Sequence, residues 1–291
     1  MAASDIDIND CIIYFKTDKI NELYNLFEVM AKLNPDSFIT FYKGTIDKPG
    51  KIEIKDTDTK QVVLYKLIIP QQNLMEYHCF NDVYSIKLDF NHIIKILKPM
   101  KQRFQQIKFC ILKCREQEIC IYADSKDGVI NTSHTISLST DKYEPIGDFT
   151  TEFNCSIRIN TDNFHSTCNS LSNFGDFLNI TCETESLIIS VKDSETSRTS
   201  NTTRFNASNS STNKSIINIT FTDNFINENP LPVIESTYSA SNISSFEKLK
   251  QYAPMLDIRM SNNNDPLCLI YNIQNLGLFV VFIVAINQEN D

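Results

Sequence analysis

Apolar residues along this chain come in short runs whose spacing switches between two periods. Ile20, Leu23, Phe27 and Met30 recur at three- to four-residue steps, which predicts a helix capped by Asp18 and stopped at Asn34-Pro35. A strand-like run precedes it at 11–15. Others follow at 37–42, 51–55, 61–69 and 83–88, divided by turn signals such as Pro49-Gly50. A second short helix is predicted at 91–98, ended by Pro99, and then strands at 107–113, 119–123 and 132–138.

The second half repeats the order. A strand at 153–159 leads to Thr161-Asp162 as a cap and to a helix running to Asn173, with Phe164, Cys168 and Leu171 on its apolar face. Strands are predicted at 177–182, 187–191 and 216–222, then a helix at 243–252 before Pro254, then strands at 255–260, 267–273 and 278–286. The plan is α+β and duplicated: domains at 1–138 and 152–291, joined by a polar linker at 139–151 that holds Pro145 and Gly147. Residues 194–215 are a Ser/Thr/Asn-rich stretch, read as a loop or a poor edge strand.

Composition changes this picture little. Hydrophobic residues are 42% and charged residues 22% of the 291, a globular balance. The nine cysteines are odd in number and sit mostly in apolar runs, and 110 and 114 lack a second pair to complete a zinc site, so free buried thiols are expected. The N-terminus carries Asp5, Asp7 and Asp10 rather than a basic leader, so no signal peptide is expected. The Asn-x-Ser/Thr triplets from Asn131 to Asn242 follow from an Asn- and Ser-rich chain. The closing apolar run at 276–286 is too short to span a bilayer, so no membrane role is expected.

Charge matters locally. Lys plus Arg is 27 against 36 Asp plus Glu, a net charge of −9, which by itself argues against a phosphate binder. Yet Lys95 and Lys98 fall opposite Ile93, Ile94 and Leu97, with Lys101 and Arg103 just beyond Pro99. Lys248 projects away from Phe246, Leu249 and Ala253, with Lys250 nearer the flank. The first helix offers Lys32 together with Glu22 and Glu28, and the helix ending at Asn173 presents Ser166, Asn169 and Asn173 with no carboxylate. Such faces suit sequence-independent phosphate contact, and equally suit an ordinary solvated helix.

Catalytic chemistry is not expected. The four histidines (His78, His92, His134, His165) form no metal-ligand pair, and His165, one turn before Cys168, reads as a surface residue above a core thiol. No Gly-rich phosphate loop occurs among 6 glycines, and Asp56-Thr57-Asp58 lacks the rest of a calcium loop. No catalytic, cofactor or metal site is assigned.

Three segments carry a resemblance over nearly the whole chain. They are LDFNHIIKILKPM at 88–100, FNCSIRINTDNFHSTCNSLSNFGDFLNITC from Phe153, and DPLCLIYNIQNLGLFVVFIVAI at 265–286. In order and spacing they resemble the proliferating cell nuclear antigen family of eukaryotic and viral DNA sliding clamps. The resemblance implies a DNA clamp fold of two topologically similar domains, each a curved antiparallel sheet with two short helices on its inner face. It implies a non-enzymatic processivity factor, a homotrimeric ring around double-stranded DNA. This ring would tether DNA polymerase and other clients through PIP-box-like peptides, and a clamp loader could place it on DNA. Work would be in the nucleus, or at a cytoplasmic viral replication site. By the same resemblance Lys32, Lys95, Lys98, Lys101, Lys248 and Lys250 face DNA. The client groove uses Val62, Leu64, Leu138, Pro266, Phe282, Ile283 and Val284. Subunits pair Glu118, Ile119, Cys120, Ile121 and Tyr122 with Arg198, Thr203 and Phe205 of a neighbour. The family's arginines on the second domain's helix are here Ser166 and Asn169, which implies loose contact. Two alternatives are a checkpoint-type clamp subunit of a hetero-oligomeric ring and, from another class, a β-rich adhesion or coat protein.

Overall fold

The first strand, β1 (Cys11–Thr17), is buried along nearly its whole length and feeds α1 (Ile20–Leu33). Asp18 does not cap that helix. Lys19 holds the cap position, its N–H donating to Thr17 Oγ1 at 3.1 Å, while the Asp18 carboxylate pairs with the Lys19 side chain. Then come β2 (Asp36–Tyr42), β3 (Lys51–Thr57), β4 (Val63–Pro70), β5 (Glu76–Cys79) and β6 (Val83–Asp89). β4 starts two residues later than the periodicity implies, because Gln61 turns the chain at a φ of 59°. The helix α2 (Phe90–Arg103) is capped by Asp89, which accepts from the N–H groups of Asn91 and His92. Pro99 lies inside α2 rather than ending it. It sits on the exposed face, where water can satisfy the carbonyl that its missing N–H leaves open. Strands β7 (Phe104–Leu112), β8 (Glu118–Ser125) and β9 (Asn131–Ser137) follow.

The second series runs β10 (Cys155–Asn160), α3 (Thr161–Leu171), β11 (Phe177–Glu183), β12 (Ser186–Lys192), β13 (Ser200–Asn206), β14 (Asn218–Phe221), α4 (Asp223–Glu228), β15 (Val233–Ser239), α5 (Ala240–Ser244), β16 (Met255–Met260), β17 (Leu267–Ile273) and β18 (Gly277–Ile283). Asn160 rather than Thr161-Asp162 caps α3, accepting from the Asn163 N–H at 3.0 Å. The helix expected at 243–252 is instead α5 plus a 3-10 turn, Glu247–Gln251. The computed structural model describes residues 6–125, 130–147, 151–192, 200–207, 217–228, 232–261 and 265–286.

Two compact units emerge. The first comprises Met1–Thr59, Lys66–Gly147 and Ile273–Phe279; the second comprises Lys60–Tyr65, Asp148–Asn272 and Val280–Asp291. The division thus runs through β4 and β18 rather than at a single point in the chain. The linker residues up to 147 belong with the first unit. Asp141 pairs with Lys87 at 2.7 Å, Tyr143 meets Phe38 edge-on, and the Ile146 carbonyl accepts from Lys55 Nζ at 2.7 Å.

In the first unit the strand orders are β5-β1-β7-β8-β9 and β4-β3-β2-β6; in the second they are β14-β10-β16-β17-β18 and β13-β12-β11-β15. Adding nine to every number of the first pair gives the second pair, so the duplication is one of hydrogen-bonded topology and not only of element order. All strand pairings with a described register are antiparallel. Stacked rings of Phe15 and Phe109 (4.5 Å) and of Phe27 and Phe90 (5.2 Å) fill the first core; Phe164, Phe246, Leu249 and Tyr271 are fully buried in the second. The nine cysteines are free thiols, eight of them buried and Cys114 exposed. Among the described residues no helix is long and apolar enough to cross a membrane.

Three strands or helices lacked a sequence expectation: β5, β15 and α4. The alternation of Ile234, Ser236 and Tyr238 inward along β15 is the signal that would have found it, masked by four hydroxyl residues in a seven-residue strand.

Candidate nucleic-acid interface

The helical surface of the first unit is built by α1 and α2. Ile93, Ile96, Leu97 and Met100 are buried, which turns Asn91, Lys95, Lys98 and Gln102 outward as one stripe. No carboxylate occurs anywhere in α2, and its last turn carries Lys101 and Arg103, where cations also suit the helix dipole. Lys101 is half-buried, its Nζ 4.0 Å from the centre of the Tyr24 ring, so this cation also fastens α2 to α1. Lys32 is exposed at the end of α1, with Glu22 and Glu28 half-buried on the same helix. Among the described residues, Lys32, Lys95 and Lys98 enter no ion pair. With the exposed Arg103, they are cations available to an external anion.

The second unit's helical surface has a different charge pattern. Lys250 Nζ lies 3.0 Å from Asp162 Oδ1 and 3.0 Å from Glu247 Oε1, which draws the 3-10 turn onto the first turn of α3. The ammonium holds both carboxyls below their ordinary range, and they in turn raise its own pKa. Ser166 Oγ donates to Asp162 Oδ1 at 3.4 Å, and Ser244 Oγ donates to Asn169 Oδ1 at 2.7 Å, tying α5 to α3. The expectation that this face lacks a carboxylate is therefore corrected. Asp162 is exposed one turn before Ser166, where the assumed cap role had removed it from the face. Lys248 is half-buried.

His165 is not a surface residue. It is fully buried, with Nε2 3.0 Å from the Tyr271 hydroxyl and Nδ1 without a partner among the described residues. Burial lowers its pKa from 6.5 to about 4, so the ring is neutral at ordinary pH.

The groove residues are divided. Within the second unit, the Val284 N–H donates to the Val62 carbonyl at 3.0 Å, setting these two segments side by side. Val62, Pro266 and Phe282 are half-buried and Val284 is exposed, whereas Leu64 shows only 8% of its surface. Ile283 is corrected: at 0% exposure it faces the core, because strand alternation sends Phe282 and Val284 to the other side. The sequence reading missed Phe153, whose ring stacks on Phe282 with centroids 6.5 Å apart. Leu138, in the first unit, is half-buried just past β9.

The strand-edge expectation is half corrected. Glu118, Ile119, Cys120, Ile121 and Tyr122 lie in β8, which is hydrogen-bonded to β7 on one side and to β9 on the other, so no backbone edge remains there for a third strand. The outer strand of that sheet is β9. In the second unit Thr203 and Phe205 lie on β13, which among the described residues is an outer strand paired only to β12. Arg198 lies outside the described residues. Within the first unit, Gly277 approaches the Ile68 carbonyl so nearly that a Cβ there would stand 2.1 Å from its oxygen.

Among the described residues no group of three or more His, Cys, Asp or Glu could hold a metal ion. Comparison with known proteins gives three findings. Residues 147–286 match the family model of the proliferating cell nuclear antigen C-terminal domain. The chain is 22% identical over 278 residues to a probable DNA polymerase sliding clamp of Autographa californica nuclear polyhedrosis virus, covering 95% of this chain and 96% of that protein. The fold is similar to the crystal structure of Proliferating Cellular Nuclear Antigen from Entamoeba histolytica, with a TM-score of 0.77 at 13% identity over 95% of this chain and 100% of that one.

Proposed function

We propose that the chain belongs to the proliferating cell nuclear antigen-like family of sliding clamps and is a DNA polymerase processivity factor that encircles duplex DNA, a reading supported by the match of residues 147–286 and by the sliding-clamp relative and fold. The observation that carries the reading is α2. In a chain of net charge −9, one exposed helical stripe holds Lys95 and Lys98, no carboxylate occurs in the helix, and neither lysine has an ion-pair partner among the described residues. Local potential, not the net sum, governs phosphate contact. Tethering by topology needs only such weak, sequence-independent contacts. The protein is a scaffold, and no chemical step is assigned to it.

The two domains of this reading are 1–138 and 152–291 with 139–151 between them. The ring arises from strand edges. β9 and β13 are outer strands, and pairing β9 of one copy with β13 of the next is a heterologous contact that closes after three copies. Clients bearing PIP-box-like peptides dock on the outward apolar residues Val62, Phe282 and Val284 beside Pro266 and Leu64, as a short helix with aromatic anchors. A clamp loader opens the ring, and replication takes place in the nucleus or at a viral replication site.

The test is Lys95→Glu with Lys98→Glu. We expect an unchanged fold and solution mass, weaker DNA association at low salt, and loss of processive synthesis with the cognate polymerase. Unaltered processivity and DNA association in a folded double variant refute the reading. The mass of the wild type in solution separates a homotrimer from a subunit that assembles only with other chains.

A further inference from the structure

The second unit repeats the topology of the first but not its charge. Among the described residues of α3, α5 and the 247–251 turn, the cations are Lys248 and Lys250 and the carboxylates are Asp162 and Glu247. Both carboxylates meet on Lys250. An ammonium carries three donors, and here two are directed to carboxylate oxygens at 3.0 Å contributed by different elements, α3 and the 3-10 turn. A carboxylate pair in that position offers the ammonium what a phosphate offers: anionic oxygens at hydrogen-bond distance. A phosphate approaching Lys250 must displace at least one of them and faces the repulsion of both.

We propose that Asp162 and Glu247 act as an intramolecular substitute for DNA phosphate on Lys250, withholding that cation from DNA and fixing how loosely the clamp holds its track. The inference rests on the clamp reading above. It makes the two units unequal: phosphate contact is carried by Lys95, Lys98 and Lys32 in the first unit, while the second presents a nearly neutral surface over which the backbone passes. Asp162 is then a residue that sets the strength of DNA contact without touching DNA. Its side chain is 63% exposed and anchored by the Ser166 hydroxyl, so its replacement by the isosteric amide removes charge without opening the core.

The experiment is a double-mutant cycle on full-length protein, with a short linear duplex as the probe and association read by fluorescence anisotropy across a salt series. Asp162→Asn, and in parallel Glu247→Gln, should tighten binding. One released cation adds about 0.9 to the salt slope, so the advantage of Asp162→Asn over the wild type should grow about 3.5-fold between about 200 and about 50 mM salt. In a Lys250→Ala background, Asp162→Asn should gain clearly less, because only the repulsion of the removed carboxylate is relieved and no cation is released. Thermal unfolding of each variant confirms that it is folded; if Asp162→Asn unfolds, the Glu247→Gln arm of the cycle is decisive. An unchanged affinity in folded Asp162→Asn overturns the proposal. So does a gain of equal size with and without Lys250, which would make Asp162 only one more negative charge near DNA. Loss of binding in the Lys95→Glu, Lys98→Glu protein with no effect of Asp162→Asn rejects the latch alone; unchanged binding in that protein rejects the clamp reading itself.

Discussion

Lowering the pH from 7 to 5 should cost this protein about 2 kcal/mol of stability through one residue, His165. The ring is fully buried beneath the outer face of α3, bonded through Nε2 to Tyr271 and with no partner for Nδ1 among the described residues. Burial dominates its pKa. The Glu247 charge opposes that effect, Lys250 adds to it, and Asp162 opposes it more weakly. The folded pKa of about 4 lies below the unfolded 6.5, so the unfolded chain binds the proton more tightly. Stability is therefore whole above about pH 6.5, falls as pH drops through the unfolded value, and stops falling near the folded one. A gap of that size corresponds to about 3.4 kcal/mol when fully expressed, and to about 2 kcal/mol at pH 5. Urea unfolding followed by circular dichroism at both pH values measures it. His165→Phe is the control. It sacrifices the Tyr271 hydrogen bond, and so starts about 1–2 kcal/mol lower at pH 7. From there its stability should be nearly flat down to pH 5. Carboxylates contribute equally to both proteins and cancel. Equal pH slopes in the wild type and His165→Phe, or a His165 resonance titrating near 6.5, would refute the reasoning.

Two further outcomes follow from packing. Gly277→Ala should destabilise the fold by about 1–3 kcal/mol, measured by urea unfolding, because its Cβ would meet the Ile68 carbonyl oxygen at 2.1 Å and only backbone movement relieves that contact. An aromatic disulfide reagent should titrate a single thiol, Cys114, in the native protein and all nine after denaturation; fast reaction of a second thiol would contradict the burial of the other eight.

Much of the fold was legible in the sequence because its signals are local. Apolar period and turn residues placed α1, α2 and most strands to within a few residues, and the repeat of that order in the second half announced the duplication. The exposed cations of α2 were legible for the same reason, since a helix with Ile93, Leu97 and Met100 inward must turn Lys95 and Lys98 outward. Pro99 misled because a proline is tolerated inside a helix on its solvent side, and here both Pro99 and Lys95, one turn back, are exposed. The edge strand misled because periodicity marks a strand without revealing how many neighbours it has. Ile119 and Ile121 look like a strand whether or not β9 lies beside them.

What the sequence determined by itself is therefore the chain's elements, their duplicated order and the one basic helix face; each depends on residues within a few positions of one another. Tertiary structure alone decided three things. It buried His165 against Tyr271, it closed Asp162 and Glu247 around Lys250, and it left β9 and β13, not β8, as outer strands. Each joins residues distant in sequence, and a charge or a hydrogen-bonding edge is free or spent according to the neighbour that folding brings to it.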